Sequence, residues 1–146
     1  MLTILQSYDS SYYDNSGSAA AGAIFGMGML FFYLVIYLFI GFCRYKVFKK
    51  AGREDAWAGF VPVYNAIVLS QIIKKPSWFF ILFYVPFVFY YAYFVTGDKL
   101  GKGFGKGENS TVWGVIGLLT GLFINMIVHA FGSDQFDSSA VPDETA

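Results

Sequence analysis

RYKVFKKAGREDAWAGFVPVYN, running from Arg44 to Asn65, decides how the rest of the chain is read. A long apolar segment ends just ahead of it, five positive charges fall within its first ten residues, and a proline-interrupted apolar segment opens at Trp57. Positive residues at the end of an apolar span resist translocation, so this cluster sets how the chain threads a bilayer. It reads as the cytoplasmic elbow of a small membrane protein, covering residues 44–56.

Composition points the same way. In 146 residues, 56% are hydrophobic and 14% charged, with 17 Phe and 11 Tyr, which is far from the composition of a soluble domain. The net charge of zero hides an asymmetry: all ten Lys and Arg lie between Arg44 and Lys106, while both ends carry only Asp and Glu. The single Cys43 excludes an internal disulfide and reads as a small core or lipid-facing residue. No cofactor and no nucleic-acid partner are expected.

Upstream of the elbow, residues 1–18 are polar, hold Asp9 and Asp14, and lack any Lys or Arg, unlike the basic start of a signal peptide. An acidic tail before an apolar span with a basic far end predicts an uncleaved anchor with its N-terminus outside. Residues 19–43 are that span, an uncharged run of 25 residues against the roughly 20 that a crossing needs. Gly22 and Gly26 are four apart on one face and predict close helix packing.

Downstream, residues 57–73 are apolar but carry Pro62, Asn65, Ser70 and Gln71. Pro62 removes a backbone donor, so the segment is expected to be kinked or split there, with Asn65 tying the break together or lining a polar cavity. A Lys74-Lys75-Pro76 turn precedes an aromatic span over 77–97 with a second kink at Pro86. The Gly/Lys-rich stretch 98–110 is expected to be a loop. Its glycines fit neither a Walker loop nor a dinucleotide fingerprint, and Lys99, Lys102 and Lys106 suit anionic lipid headgroups instead. A last span over 111–132 has Gly117 and Gly121 at packing spacing, with Asn125 and His129 sharing a face. A neutral His129 bonded to Asn125 or water is favoured over a proton relay. The acidic tail 133–146 is expected outside.

The fold class is therefore an all-α integral membrane protein of about four transmembrane helices, with one helical membrane domain over 19–132 and the middle two spans proline-kinked or re-entrant. Four crossings put eight of the ten cations inside and leave Lys74 and Lys75 outside; re-entrant hairpins would put all ten inside.

The order of motifs is more specific than this architecture. KKAG, a Trp, VPVYN, a KPSW turn, a span with a central VP, and then DKLGKGFGKG lead to a last span ending in AFGSDQF. This order resembles a bacterial multi-pass membrane family of unknown function that is also found fused ahead of signal peptidase I. Trp57, Pro62, Tyr64, Asn65, Trp78, Pro86, Phe104, Gly105 and Lys106 occupy the motif positions. The resemblance departs where REDA replaces a shorter turn, where Phe89 or a neighbour replaces a second Asn, and where the last span lacks prolines.

No set of residues has the types and spacing of a catalytic or metal site, so a non-enzymatic protein is expected, an accessory or structural subunit of an envelope membrane assembly. Its partners would be the lipid bilayer, other membrane subunits or its own copies, in the bacterial cytoplasmic membrane with both termini outside. The alternatives are a small transporter with a site near Asn65 and an anionic-lipid-binding protein.

Overall fold

Every regular element among the described residues is helical. The computed structural model describes residues 1–145, and the side chains of all of these except residues 5–16, so Asp9 and Asp14 lie outside the described side chains. The elements are α1 (Leu2–Lys50), α2 (Pro62–Ile72), α3 (Phe89–Gly103), α4 (Ser110–Thr120) and α5 (Phe123–Phe131). Short 3-10 turns lie at Ala56–Phe60, Ser77–Phe83, Gly107–Asn109 and Ser138–Ala140.

The chain divides into two units, Met1–Tyr37 and Leu38–Ala146. In the first unit the large side chains from Ile24 to Leu34 are exposed, and Gly22, Gly26 and Gly28 have nothing within 4 Å of where a Cβ would stand. Among the described residues one helical stretch, Gly17–Lys50, is long and apolar enough to cross a membrane.

The second unit is built from helices that stop short, and each stop has a local cause. After α1, the Arg53 amide reaches back to the Phe48 carbonyl at 3.0 Å and the Gly52 amide to Lys49 at 3.1 Å, with Gly52 at φ +74°. This is the left-handed Schellman cap, which favours glycine because it has no Cβ to clash. The same pair of bonds closes α3, from Lys106 to Gly101 at 2.8 Å and from Gly105 to Lys102 at 3.1 Å, with Gly105 at φ +74°. Gly52 of KKAG and Gly105 of FGKG are thus helix stops. At α2 the equivalent position is Lys74, at φ 52°, where the side chain opposes the left-handed turn. A non-glycine residue there costs about 1–2 kcal/mol, so Lys74→Gly should raise, and Gly52→Ala lower, the stability by about 1 kcal/mol each, read as a shift of the thermal unfolding midpoint in detergent.

Of the two outcomes expected at Pro62, a kink or a split, the chain takes the split: Pro62 occupies the first position of α2, after the 3-10 turn Ala56–Phe60, where its missing N–H is harmless. Two expected spans are corrected. The 77–97 span is split into a 3-10 turn and α3, with Pro86 and the left-handed Phe87 (φ 66°) between them. The 111–132 span breaks at Gly121 and Leu122, both left-handed, which no single helix accommodates. At 11, 15, 11 and 9 residues, α2 to α5 are each about 13–23 Å long, short of the roughly 30 Å of a hydrocarbon core. The stretch expected as a loop over 98–110 is instead helical as far as Gly103.

Candidate functional site

The site is built on the close pairing of α3 and α4. A Cβ on Gly97 would meet the Trp113 carbonyl oxygen at 2.4 Å, one on Gly101 the Trp113 side chain at 2.9 Å, and one on Gly117 the Tyr93 carbonyl at 2.8 Å. Gly114 likewise faces Phe94, with its ring at 2.9 Å and its carbonyl at 3.0 Å. Backbones can approach this closely only where side chains are absent. After the Gly121 turn, α5 returns beside α4, bringing His129 to Trp113 with ring centroids 4.8 Å apart.

This pairing encloses a small polar nest. Asn125 is fully buried and its Nδ2 donates to the Trp113 carbonyl at 3.0 Å. His129 is 1% exposed and lies flat on Phe104, at 4.3 Å and 8°. Its two ring nitrogens, Asn125 Oδ1 and Thr96 Oγ1 find no hydrogen-bond partner among the described residues. Asn125 and His129 do share a buried face, but no hydrogen bond joins them.

Above the nest lies a charged rim, and here the acidic tail returns. Lys50 Nζ donates to the carbonyls of His129 at 2.7 Å and Gly132 at 2.6 Å, capping the end of α5. Lys106 pairs with Asp134 at 2.9 Å. Lys99, itself buried, pairs with Glu144 at 2.6 Å and donates to the Pro142 carbonyl at 3.0 Å, and Lys75 also meets Glu144. The Asp137 amide bonds to Gly103 O at 2.7 Å and the Glu144 amide to Lys74 O at 3.0 Å. Phe136 sits edge-on against Phe104 at 5.2 Å, and Val141 is buried. The Gly/Lys segment, the Lys74-Lys75 turn and the tail therefore occupy one polar face. There opposite charges from segments distant in sequence, one expected inside and the other outside, neutralise each other.

The Lys75 and Lys99 ammonium groups donating to Glu144 hold its carboxyl down to about 2, against 4.5 for an ordinary glutamate. A folded-state value below the unfolded one means that this tail contact is at full strength above pH 4.5 and is lost as pH falls from there toward 2. A spin label at position 145 is expected to become mobile over that window. Glu144→Gln should give the mobile spectrum already at neutral pH.

The remaining expected site residues scatter. Gln71 is exposed and accepts from Arg53 Nη2 at 2.7 Å, in a network where Arg53 clasps Asp55 at 2.8 and 2.9 Å and Tyr64 donates to Asp55 at 3.2 Å. The REDA turn thereby ties the elbow to α2. Asn65 is buried, and its backbone amide closes the break at Pro62 by donating to Val61 O at 2.8 Å. Lys99 and Lys106 meet tail carboxylates, while Lys102 pairs with Asp98 at 2.8 Å, so the three lysines expected at headgroups are satisfied within the chain. Gly117 packs tightly, Gly121 makes the turn, and Gly22 and Gly26 touch nothing. Gly97, Gly101, Gly114 and Phe104 were missed as packing residues. The Gly97/Gly101 spacing was the available signal, hidden by the lysines between and beyond them. Among the described residues no group of three or more His, Cys, Asp or Glu could hold a metal ion.

A family model described as a family of unknown function, DUF5684, matches residues 57–138, which takes in α2 to α5 and the start of the tail. No curated protein and no solved structure matches the chain.

Proposed function

The chain belongs to the DUF5684 family of unknown function, and from that premise we propose that it is a non-enzymatic membrane protein, an accessory subunit whose α1 helix pairs with a transmembrane helix of a larger envelope assembly. In this reading α1 crosses the bacterial cytoplasmic membrane with its Gly17 end outside and its lysine end inside, as the positive-inside rule directs. The short helices of the second unit pack beside the inner part of α1 and keep the polar rim on the cytoplasmic side.

One observation carries the reading. Gly97 and Gly101, four apart, lie against the Trp113 carbonyl and side chain of α4, yet the same spacing at Gly22 and Gly26 faces open space. Leucines at those positions would leave α1 as apolar as before while blocking close approach of another helix. The resemblance to a family that includes fusions ahead of signal peptidase I suits a module set beside other membrane machinery.

Native mass spectrometry of the protein extracted in mild detergent is the test. The wild type is expected in a complex heavier than its own 16.3 kDa. The Gly22→Leu/Gly26→Leu variant is expected as the lone chain, still resistant to carbonate extraction from membranes. A wild type that emerges alone ends the subunit reading.

A further inference from the structure

We propose that Lys46, Lys49 and Lys50 form a binding site for the phosphate of an anionic phospholipid headgroup. Spaced i, i+3 and i+4 on the last two turns of α1, they share one helix face. With Phe131, Gly132 and Gln135 they border a hollow of about 450 Å³ that no carboxylate lines.

These three differ from the lysines of the rim in what neutralises them. Lys75, Lys99, Lys102 and Lys106 all pair with carboxylates. Lys46, Lys49 and Lys50 have no carboxylate within ion-pair distance among the described residues. Lys46 Nζ lies 4.4 Å from the Phe131 ring centroid and 5.3 Å from that of Phe42. Lys49 donates to the Tyr45 hydroxyl at 3.5 Å. Lys50 spends two of its three donors on backbone carbonyls. Asp134, near in sequence to the hollow's wall, is engaged by Lys106. Three positive charges thus converge on a space whose other walls are neutral, which is the electrostatic complement of a phosphate.

The surroundings select a lipid phosphate over a free one. The lysines close the apolar stretch Gly17–Lys50, at the level where headgroups meet a crossing helix. Exposed Phe39, Phe42 and Phe131 adjoin the lysines, with Phe39 stacked on Phe131 at 6.5 Å. An apolar wall beside a cationic hollow suits an amphiphile, whereas a free anion gains nothing from it. The inference does not depend on the subunit reading.

Calorimetric titration of the full chain in neutral detergent tests it, with dioctanoyl phosphatidylglycerol, dioctanoyl phosphatidylcholine and inorganic phosphate as ligands. Phosphatidylglycerol is expected to bind, and the other two at least tenfold more weakly. Each interfacial cation contributes about fivefold, so Lys46→Gln/Lys49→Gln should weaken binding about 25-fold, while Lys46→Arg/Lys49→Arg keeps it. Lys99→Gln/Lys102→Gln/Lys106→Gln should change it less than the glutamine pair does. The proposal is overturned if the glutamine pair binds like wild type, if the arginine pair fails along with it while both remain folded, or if phosphatidylcholine binds equally. Inorganic phosphate binding as tightly as the lipid would overturn the assignment to a headgroup.

Discussion

Gly97→Ala is expected to destabilise the second unit by about 2–3 kcal/mol, and Gly97→Leu to abolish its cooperative unfolding transition. The new Cβ would stand 2.4 Å from the Trp113 carbonyl oxygen and 2.9 Å from Asn125 Nδ2. Neither atom is the free end of a flexible side chain, since the first is backbone and the second is held in a hydrogen bond to that same carbonyl at 3.0 Å. Relief requires α3 and α4 to separate, and the whole close pairing at Gly101, Gly114 and Gly117 loosens with them. Thermal unfolding in detergent, followed by near-ultraviolet dichroism, reads this directly. Gly22→Ala is the matched control: nothing lies within 4 Å of its Cβ, so its cost should be negligible in the isolated chain. A Gly97→Ala protein that melts like wild type would show that α3 and α4 do not pack through their backbones.

Phe104→Ala is expected to cost about 3–5 kcal/mol, the usual range for emptying a large aromatic site in a core. Phe104 is 1% exposed and lies between α5 and the returning tail. One side stacks on His129 at 4.3 Å, and the ring also meets Phe136 of the tail at 5.2 Å. Its loss should therefore loosen the tail as well as the core, and the spin label at position 145 should report both variants, Phe104→Ala and Glu144→Gln, as mobile. His129→Leu should cost less, within about 1.5 kcal/mol, because the substitution keeps most of the volume and the ring nitrogens have no hydrogen bond to lose. A His129→Leu cost larger than that of Phe104→Ala would mean that the imidazole does more than fill space.

The features legible in the sequence are those set by local chemistry. The uncharged run from Ala19 to Cys43 and the basic cluster behind it predicted a crossing-length helix with a charged end, and α1 contains both. Pro62 and Pro86 marked true discontinuities, each starting or preceding a short helix, although at Pro86 a kinked span was expected. What could not be read was set by distant partners. Gly97 ended the expected span and Gly101 lay inside a stretch that looked like a loop because Asp98, Lys99 and Lys102 stand there, and only the return of the tail neutralises Lys99. Leu122 gives no local sign of adopting a left-handed turn, yet its side chain is buried beside Gly117 once the chain reverses. The tail's carboxylates looked like a solvated acidic end until paired with lysines dozens of residues away.

As proposed above, the Gly/Lys segment and the acidic tail lie on one side of the membrane and the Gly17 end of α1 emerges on the other. In a Cys43→Ser background, single cysteines placed at Gly17, Glu108 and Ser139 can be reacted with a membrane-impermeant maleimide in intact cells and in inside-out vesicles. All three positions are exposed, so each should react when its side faces the reagent. Labelling of position 17 in intact cells, with positions 108 and 139 labelled together only in inside-out vesicles, is the predicted result. Labelling of position 139 in intact cells while position 108 stays protected would contradict it.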